Sequence, residues 1–308
     1  MSKQPKLIIC DLDSTLYSWF EYFSFSTKRS IETAATITGI AYEKLCEEYK
    51  QILDIEDCIE HPFIIQQLPS ILAHYDNNID RVLNECSEPA RTQFKLTAYP
   101  YLKPYSNVLK TLQKLKADYP NTKLVILTDA PLQLGIHRLG KLGLLHYFDG
   151  VYGLENPRIP LVQGNVAVTK EILFKNLDKW KYGFIGRLRE LPNDYRKPSA
   201  KGFKNILLDF NMEHYTKDDI FYVGDNVFKD VKLANDSGVT SFLALYGLKI
   251  DPLSLAVLRE FSPERFIHKG IDLSQEANYP KPDYILEDFS EILNVISPKV
   301  DNIIPEDP

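Results

Sequence analysis

The chain has 308 residues, 44% of them hydrophobic and 25% charged, with a net charge of −6 and an isoelectric point near 5.6. That length supports one large domain plus a smaller one, and the acidic balance disfavours a nucleic-acid surface, which is normally basic. No apolar run approaches the ~20 residues of a membrane span, and the N-terminal run is too short for a signal-peptide core. Cys10, Cys46, Cys58 and Cys86 lack CxxC or Cys/His ligand spacing. Free thiols in a reducing cytosol are therefore expected and a zinc site is not. The chain reads as soluble and cytoplasmic.

The first predicted strand, "KLIIC", runs directly into "DLDSTLY", with Asp11 and Asp13 one residue apart. From about Tyr17 to Tyr99 no convincing strand follows, and segments such as "KRSIETAATITGIAYEKLCEEYKQIL" read as several helices inserted after that strand. "YSNVLKTLQKLKADY" sets Val108, Leu109, Leu112 and Leu115 on one helical stripe before the strand "KLVILT". "FDGVYG" is the next strand. A second interruption, about 156–196, follows it, with "IPLVQGNVAVT" hairpin-like and "KEILFKNLDKW" helical. "KGFKNILLDFNMEHY" is a helix before the strand "DIFYVGD", and "NVFKDVKLANDSG" is a helix that Gly238 should end as a left-handed cap. "VTSFLAL" and "PDYILE" are the last strands, and "DNIIPEDP", 301–308, reads as a frayed tail. Strands alternating with amphipathic helices predict an α/β fold with a doubly wound, Rossmann-like parallel sheet.

Two carboxylates so close raise each other's pKa, so they are either solvated at a loop or hold a cation and do chemistry. They fall at the carboxyl end of a strand, where open parallel sheets bind ligands. Three further signals follow in order: Thr128 in "VILTDAP", Lys197 in "YRKPSAKGF" at the start of a helix, and Asp225 with Asp230 in "FYVGDNVFKD". Each alone is weak, but the ordered set resembles the haloacid dehalogenase superfamily over nearly the whole chain, from Lys6 to about Val295.

The resemblance implies a magnesium-dependent phosphomonoesterase acting on a small phosphorylated metabolite, with a nucleotide or flavin mononucleotide among the candidates. Asp11 is implied as nucleophile, forming an aspartyl-phosphate, and Asp13 as the acid that protonates the leaving alcohol and then takes a proton from water. Mg2+ is implied at the Asp11 and Asp225 side chains and the Asp13 carbonyl, with Asp230 supporting Asp225 or Lys197. Lys197 is implied to neutralise Asp11 and the phosphate, while Thr128 and the backbone near Asp129 hold phosphoryl oxygens. Asp13 favours phosphate transfer over carbon–halogen cleavage, which needs no protonated leaving group. Ser14 (often Gly, Asn or Asp in such proteins) and Asp129 (often Asn) depart from the commonest pattern, and both are expected to act mainly through backbone. Lys170, which also precedes an apolar helix, competes with Lys197, but Lys197 has the expected order of Pro, helix and strand ending in Gly-Asp.

The implied architecture is a catalytic core of residues 1–17 and 98–300 with a helical cap at 18–97. Tyr17, Trp19, Phe20, Tyr22, Phe23 and Phe25 at the cap entrance either form a shelf for a planar group or, as favoured here, pack at its hinge. "DLDSTLY" also looks like the start of nucleotide-directed members. Residues 156–196 carry Arg158, Lys170, Lys175, Lys179, Lys181, Arg187, Arg189 and Arg196 against Glu171, Asp178, Glu190 and Asp194. A solvated face is the simpler reading of that excess, and "GRLRELPNDYR" holding a remote anionic group of the substrate is the sharper one. A phosphomutase of the same superfamily, and a fold kept only for binding or regulation, are the alternatives. No nucleic-acid or membrane partner is expected.

Overall fold

The computed structural model describes residues 4–57, 59–61, 63–155, 184–267 and 279–296. Among these residues, seven parallel strands form one sheet in the order β4-β3-β2-β1-β5-β6-β7. They are β1 (Leu7–Cys10), β2 (Lys123–Pro131), β3 (Gly150–Leu154), β4 (Arg187–Leu191), β5 (Ile220–Gly224), β6 (Thr240–Ala244) and β7 (Tyr284–Leu286). β1 pairs with β2 through Leu7–Lys123 and with β5 through Leu7–Ile220. The winding reverses at β1, so the crevice beyond the ends of β1 and β5 is the switch point at which such sheets bind ligands.

The four residues of β1 are buried without exception, as a strand covered on both faces requires. Ile8 and Cys10 join the cluster of Leu112, Leu115, Ile136 and Leu139 on one face. Leu7 and Ile9 join Phe203, Ile206 and Leu233 on the other. The helices responsible are α6 (Val108–Asp118) and α7 (Leu132–Lys141) on the first face, and α8 (Ala200–Asp209) and α9 (Lys232–Asp236) on the second. Gly238 ends the last of these in the left-handed region at φ 66°, as the sequence predicts.

Between β1 and β2 the chain forms α1 (Trp19–Thr38), α2 (Tyr42–Glu56), α3 (Pro69–His74), α4 (Ile79–Arg81) and α5 (Glu88–Ala98). α1 breaks at Gly39, φ 70°, where the sequence pattern runs on. These helices are fastened to a part of the chain that sequence reasoning did not single out. α1 packs on α10 (Pro252–Phe261) as well as on α5. Lys28 Nζ and Tyr42 Oη both bond Glu260, at 2.8 and 2.7 Å. Arg265 bonds Asp54 at 2.7 Å and Asp57 at 2.5 Å.

The entrance aromatics stack on one another. Trp19, Phe20, Tyr22 and Phe23 are buried, with Trp19 and Phe23 parallel at 4.7 Å, and Phe25 stacks on Tyr101 at 5.1 Å. The rings pack on one another rather than forming an open shelf. Cys10, Cys46 and Cys86 are free and buried, and Cys58 lies outside the described residues. No helix among the described residues is long and apolar enough to cross a membrane.

β4 falls within the stretch read as an interruption. Its alternation of half-buried Leu188 with charged Arg187, Arg189 and Glu190 is that of an edge strand, and the charges mask it in the sequence. Arg187 and Arg189 bond Asp209 of α8, at 2.9 and 2.8 Å. Arg187 pairs in register with Gly150 at the start of β3, the end of the sheet opposite Asp11. The idea that these two arginines border a site entrance is therefore corrected: they staple the edge strand to its helix. Arg158, Lys170, Lys175, Lys179 and Lys181, the "IPLVQGNVAVT" and "KEILFKNLDKW" segments and the tail 301–308 lie outside the described residues.

Candidate active site

β1 continues past Cys10 by one more ladder bond, Asp11 N–H to Val223 O at 2.8 Å. Asp11 is thus held beside β5, whose end delivers Asp225. The next turn puts Ser14 at φ 56°, in the left-handed region that favours Gly and Asn, which is the physical content of the sequence departure at that position. The loop after β6 lies against this turn so closely that a Cβ on Gly247 would sit 1.8 Å from the Ser14 carbonyl oxygen and 3.2 Å from Asp225 Cβ. Gly224 leaves room for Asp230 in the same way, since a Cβ there would meet Asp230 Cγ at 2.3 Å.

Lys197 is the hub. It sits two residues before Ser199, which caps α8, and it is 5% exposed. Its Nζ lies 2.7 Å from Asp11 Oδ1 and 2.7 Å from Asp230 Oδ1. Asp230 also accepts from Tyr222 Oη at 3.3 Å and from Asn226 N–H at 3.1 Å, so it is spent on holding Lys197. Burial would lower the Lys197 ammonium, but Asp11 and Asp230 outweigh it and keep it charged.

Asp11, Asp225 and Asp230 each offer an oxygen within 4.8 Å of the others. Burial pushes Asp11 well up; Lys197 only partly counters this, while Asp230, Asp225 and Asp13 add to it. Asp225 is pushed up to about 7, by burial first and Asp230 second. A buried acidic cluster so short of positive charge fits a hard cation. The donor set agrees, because among the described residues Asp225 has only a 3.5 Å contact from Thr15 Oγ1 as a side-chain partner, while the oxygens of Asp230 are already engaged.

Thr128, 1% exposed near the end of β2, accepts from Ala130 N–H at 3.0 Å, which leaves its own O–H to donate. Asp129 corrects the expectation of a mainly backbone role. Its Oδ1 accepts the Lys197 N–H at 2.9 Å and its Oδ2 pairs with Lys229 Nζ at 2.8 Å. Burial would raise this carboxyl, but Lys229 and then Lys197 outweigh it and hold it below its ordinary value.

Asp13 stands apart from the other acids. Its Oδ1 accepts from Arg138 Nη1 at 2.9 Å and from the Tyr17 hydroxyl. Arg138 also bonds Glu60 at 2.7 Å, and Glu60 accepts from the Trp19 indole. Sequence reasoning missed Arg138, Glu60 and Lys229. A signal for Arg138 was present: it sits on α7 three residues from Gly135, the position facing Leu12 and Thr128, so it is a charge beside a core-facing stripe. Glu60 lies between helices and left no such trace.

The doubly wound sheet, with paired aspartates after β1, Thr128 after β2, Lys197 before α8 and Asp225 after β5, has the fold seen in solved haloacid dehalogenase and HAD phosphatase structures. The 2-haloacid dehalogenase from Pseudomonas syringae pv. Tomato DC3000 superposes with a TM-score of 0.52 at 16% identity, over 95% of this chain and 98% of that one. A HAD phosphatase from Thermococcus onnurineus gives 0.51 at 14% identity, over 94% and 97%. In sequence, the chain is 24% identical over 251 residues to the glyceraldehyde 3-phosphate phosphatase of Methanocaldococcus jannaschii, covering 79% of this chain and 86% of that protein. No protein-family model matches the chain.

Proposed function

We propose that this protein is a phosphatase that hydrolyses a small phosphorylated metabolite through an aspartyl-phosphate on Asp11. The observation that carries the reading is the placement of Lys197 Nζ 2.7 Å from Asp11 Oδ1 at the β1/β5 crevice, beside two further buried aspartates. Phosphoryl transfer asks a protein for an in-line nucleophile and for cations around the migrating group, and this arrangement supplies the first and part of the second.

Asp11 attacks phosphorus, the bond to the leaving alkoxide breaks, and Asp13 gives that oxygen its proton. Asp13 then takes a proton from the water that attacks the acyl phosphate, and Asp11 and phosphate are released. Lys197 favours the ionised form of Asp11 against its burial, a task a bound cation would share, and faces the incoming phosphoryl oxygens, and the Thr128 hydroxyl donates to one of them. Asp129 fixes the backbone of Lys197. Magnesium held by Asp11, Asp225 and the Asp13 carbonyl would add positive charge against the phosphoryl group. The helices from α1 to α5 act as a cap that excludes bulk water. The sequence relative supports a phosphorylated aldehyde or sugar fragment as the first substrate to try, ahead of nucleotides, because the entrance aromatics are spent on one another.

The test is phosphate release from p-nitrophenyl phosphate, glyceraldehyde 3-phosphate, sugar phosphates, phosphoglycolate, nucleoside monophosphates and flavin mononucleotide, with wild type and Asp11→Asn. Turnover lost in Asp11→Asn is the expected result. A folded wild type that releases phosphate from none of them would sink the reading.

A further inference from the structure

Arg138 belongs to α7, which packs on the sheet, yet its guanidinium reaches across to the helices inserted after β1. It is 2% exposed. Nη1 donates to Asp13 Oδ1 at 2.9 Å, Nη2 donates to Glu60 Oε1 at 2.7 Å, and the guanidinium carbon lies 5.1 Å from the centre of the Tyr22 ring. Glu60 comes from the chain between α2 and α3 and is itself buried, with the Trp19 indole N–H bonded to it. The Tyr17 hydroxyl donates to the same oxygen of Asp13 that Arg138 uses.

A buried arginine needs its charge met, since an unpaired one is costly to keep out of water. Glu60 meets it from the inserted helices, and Asp13 meets it from the β1 turn. Among the described residues both side-chain hydrogen bonds to Asp13 fall on Oδ1, so that oxygen is fixed and Oδ2 is the one that can face a substrate. We propose that Arg138 is the positioning residue for the proton-carrying carboxyl of Asp13, and that Glu60 is the counter-carboxylate that holds Arg138 in place. The inference rests on the phosphatase reading above, in which Asp13 is the acid. Oδ2 is then the atom that hands its proton to the ester oxygen as the phosphorus–oxygen bond breaks, and that recovers one from water in the second step. The guanidinium remains paired through both steps because Glu60 does not take part in them.

This role has a signature that a purely structural role lacks. A leaving group such as p-nitrophenolate departs without being protonated, whereas an alkoxide must receive a proton. Losing the position of Asp13 therefore harms alkyl esters more than aryl esters. The measurement is kcat/KM for glyceraldehyde 3-phosphate and for p-nitrophenyl phosphate in wild type, Arg138→Lys, Arg138→Met, Asp13→Asn and the double variant Asp13→Asn/Arg138→Lys. The alkyl-to-aryl ratio should fall by about tenfold or more in both Arg138 variants, and the double variant should show no lower ratio than Asp13→Asn alone. Equal losses on both esters, or an additive loss in the double variant, would overturn the inference. Should the Arg138 variants not fold, Glu60→Gln keeps the arginine and weakens its anchor. The same ratio then decides, a fall supporting the inference and an unchanged ratio overturning it. If glyceraldehyde 3-phosphate is not turned over, the best alkyl ester of the panel above takes its place in the ratio. A wild type that releases phosphate from no member of that panel points instead to failure of the phosphatase reading, and the inference falls with it.

Discussion

Lys197 Nζ stands 2.7 Å from Asp11 Oδ1 and at the same distance from Asp230 Oδ1. One buried cation thus joins the proposed nucleophile to a second acid that is itself held in place. Because Asp230 is separately held by Tyr222 and Asn226, Lys197 keeps a fixed seat when Asp11 changes charge. Electrostatic groups that need not move during reaction are the effective ones.

That bridge separates two substitutions that look alike. Lys197→Met leaves Asp11, Asp225 and Asp230 buried without their cation and should cost about 3–5 kcal/mol of stability. Asp11→Asn relieves repulsion that already pushes these carboxyls up, so its midpoint in urea should be no lower than that of wild type, although its turnover should be lost. Urea titrations of both variants check this, and an Asp11→Asn protein as destabilised as Lys197→Met would contradict it.

Magnesium should stabilise the folded chain through the same acids. At ~100 times its dissociation constant, a ligand that binds only the folded state adds about 2.7 kcal/mol. Wild type should therefore melt several degrees higher with magnesium than with chelator, and Asp225→Asn should lose most of that rise. Melting curves that respond equally in the two proteins would place the ion elsewhere. Chelation should also abolish phosphate release.

Arg187 and Arg189 are bonded to Asp209 at the far end of the sheet. Their double replacement by Ala should cost ~0–1 kcal/mol of stability per pair and leave the KM of the best substrate essentially unchanged, since they lie at the end of the sheet opposite Asp11. Steady-state kinetics on the double variant decide it; a large rise in KM would restore these arginines to the entrance.

His61 gives a pH dependence with a defined sign. Burial lowers its pKa from 6.5 to about 4, and its Nδ1 accepts the Phe63 N–H at 3.2 Å, a bond that protonation would remove. Above pH 6.5 the ring is neutral whether the chain is folded or not, and it contributes no slope. As the pH falls from 6.5 to 4 the unfolded chain takes the proton first, so stability drops by up to about 3 kcal/mol. Below pH 4 the loss is complete. Urea unfolding of wild type and His61→Gln between pH 7.5 and 4 should show wild type losing more, and parallel curves would remove the assignment.

Much of the site was legible because strand ends announce it. Asp11, Thr128 and Asp225 each follow a short apolar run, and Lys197 precedes a helix, so order along the chain translates into neighbourhood at the switch point. What stayed hidden depends on contacts between distant segments. Arg138 on α7 and Glu60 after α2 are 78 positions apart, and neither sits in a spacing that names its partner. β4 was hidden for another reason: an edge strand with exposed charges lacks the apolar run by which its neighbours declare themselves. Asp129 reads as a simple variant of Asn until Lys229 is seen beside it.

The fastening of α1 and α2 to α10 also bears on how the protein is made. Phe23 and Tyr49 rest their rings on Phe261, at 6.3 and 5.6 Å, and Lys28 waits for Glu260. Synthesis runs from the amino end at ~5–20 residues per second, so more than two hundred residues must emerge after α1 before its partner exists. For that interval of ten seconds or more the Phe23 face of α1 lacks its α10 partner, while Tyr22 and Phe25 can already meet Phe94 and Tyr101. The helices nearest the start of the chain are thus among the last to be finished, and the nascent protein offers chaperones a transient apolar face that the mature one conceals.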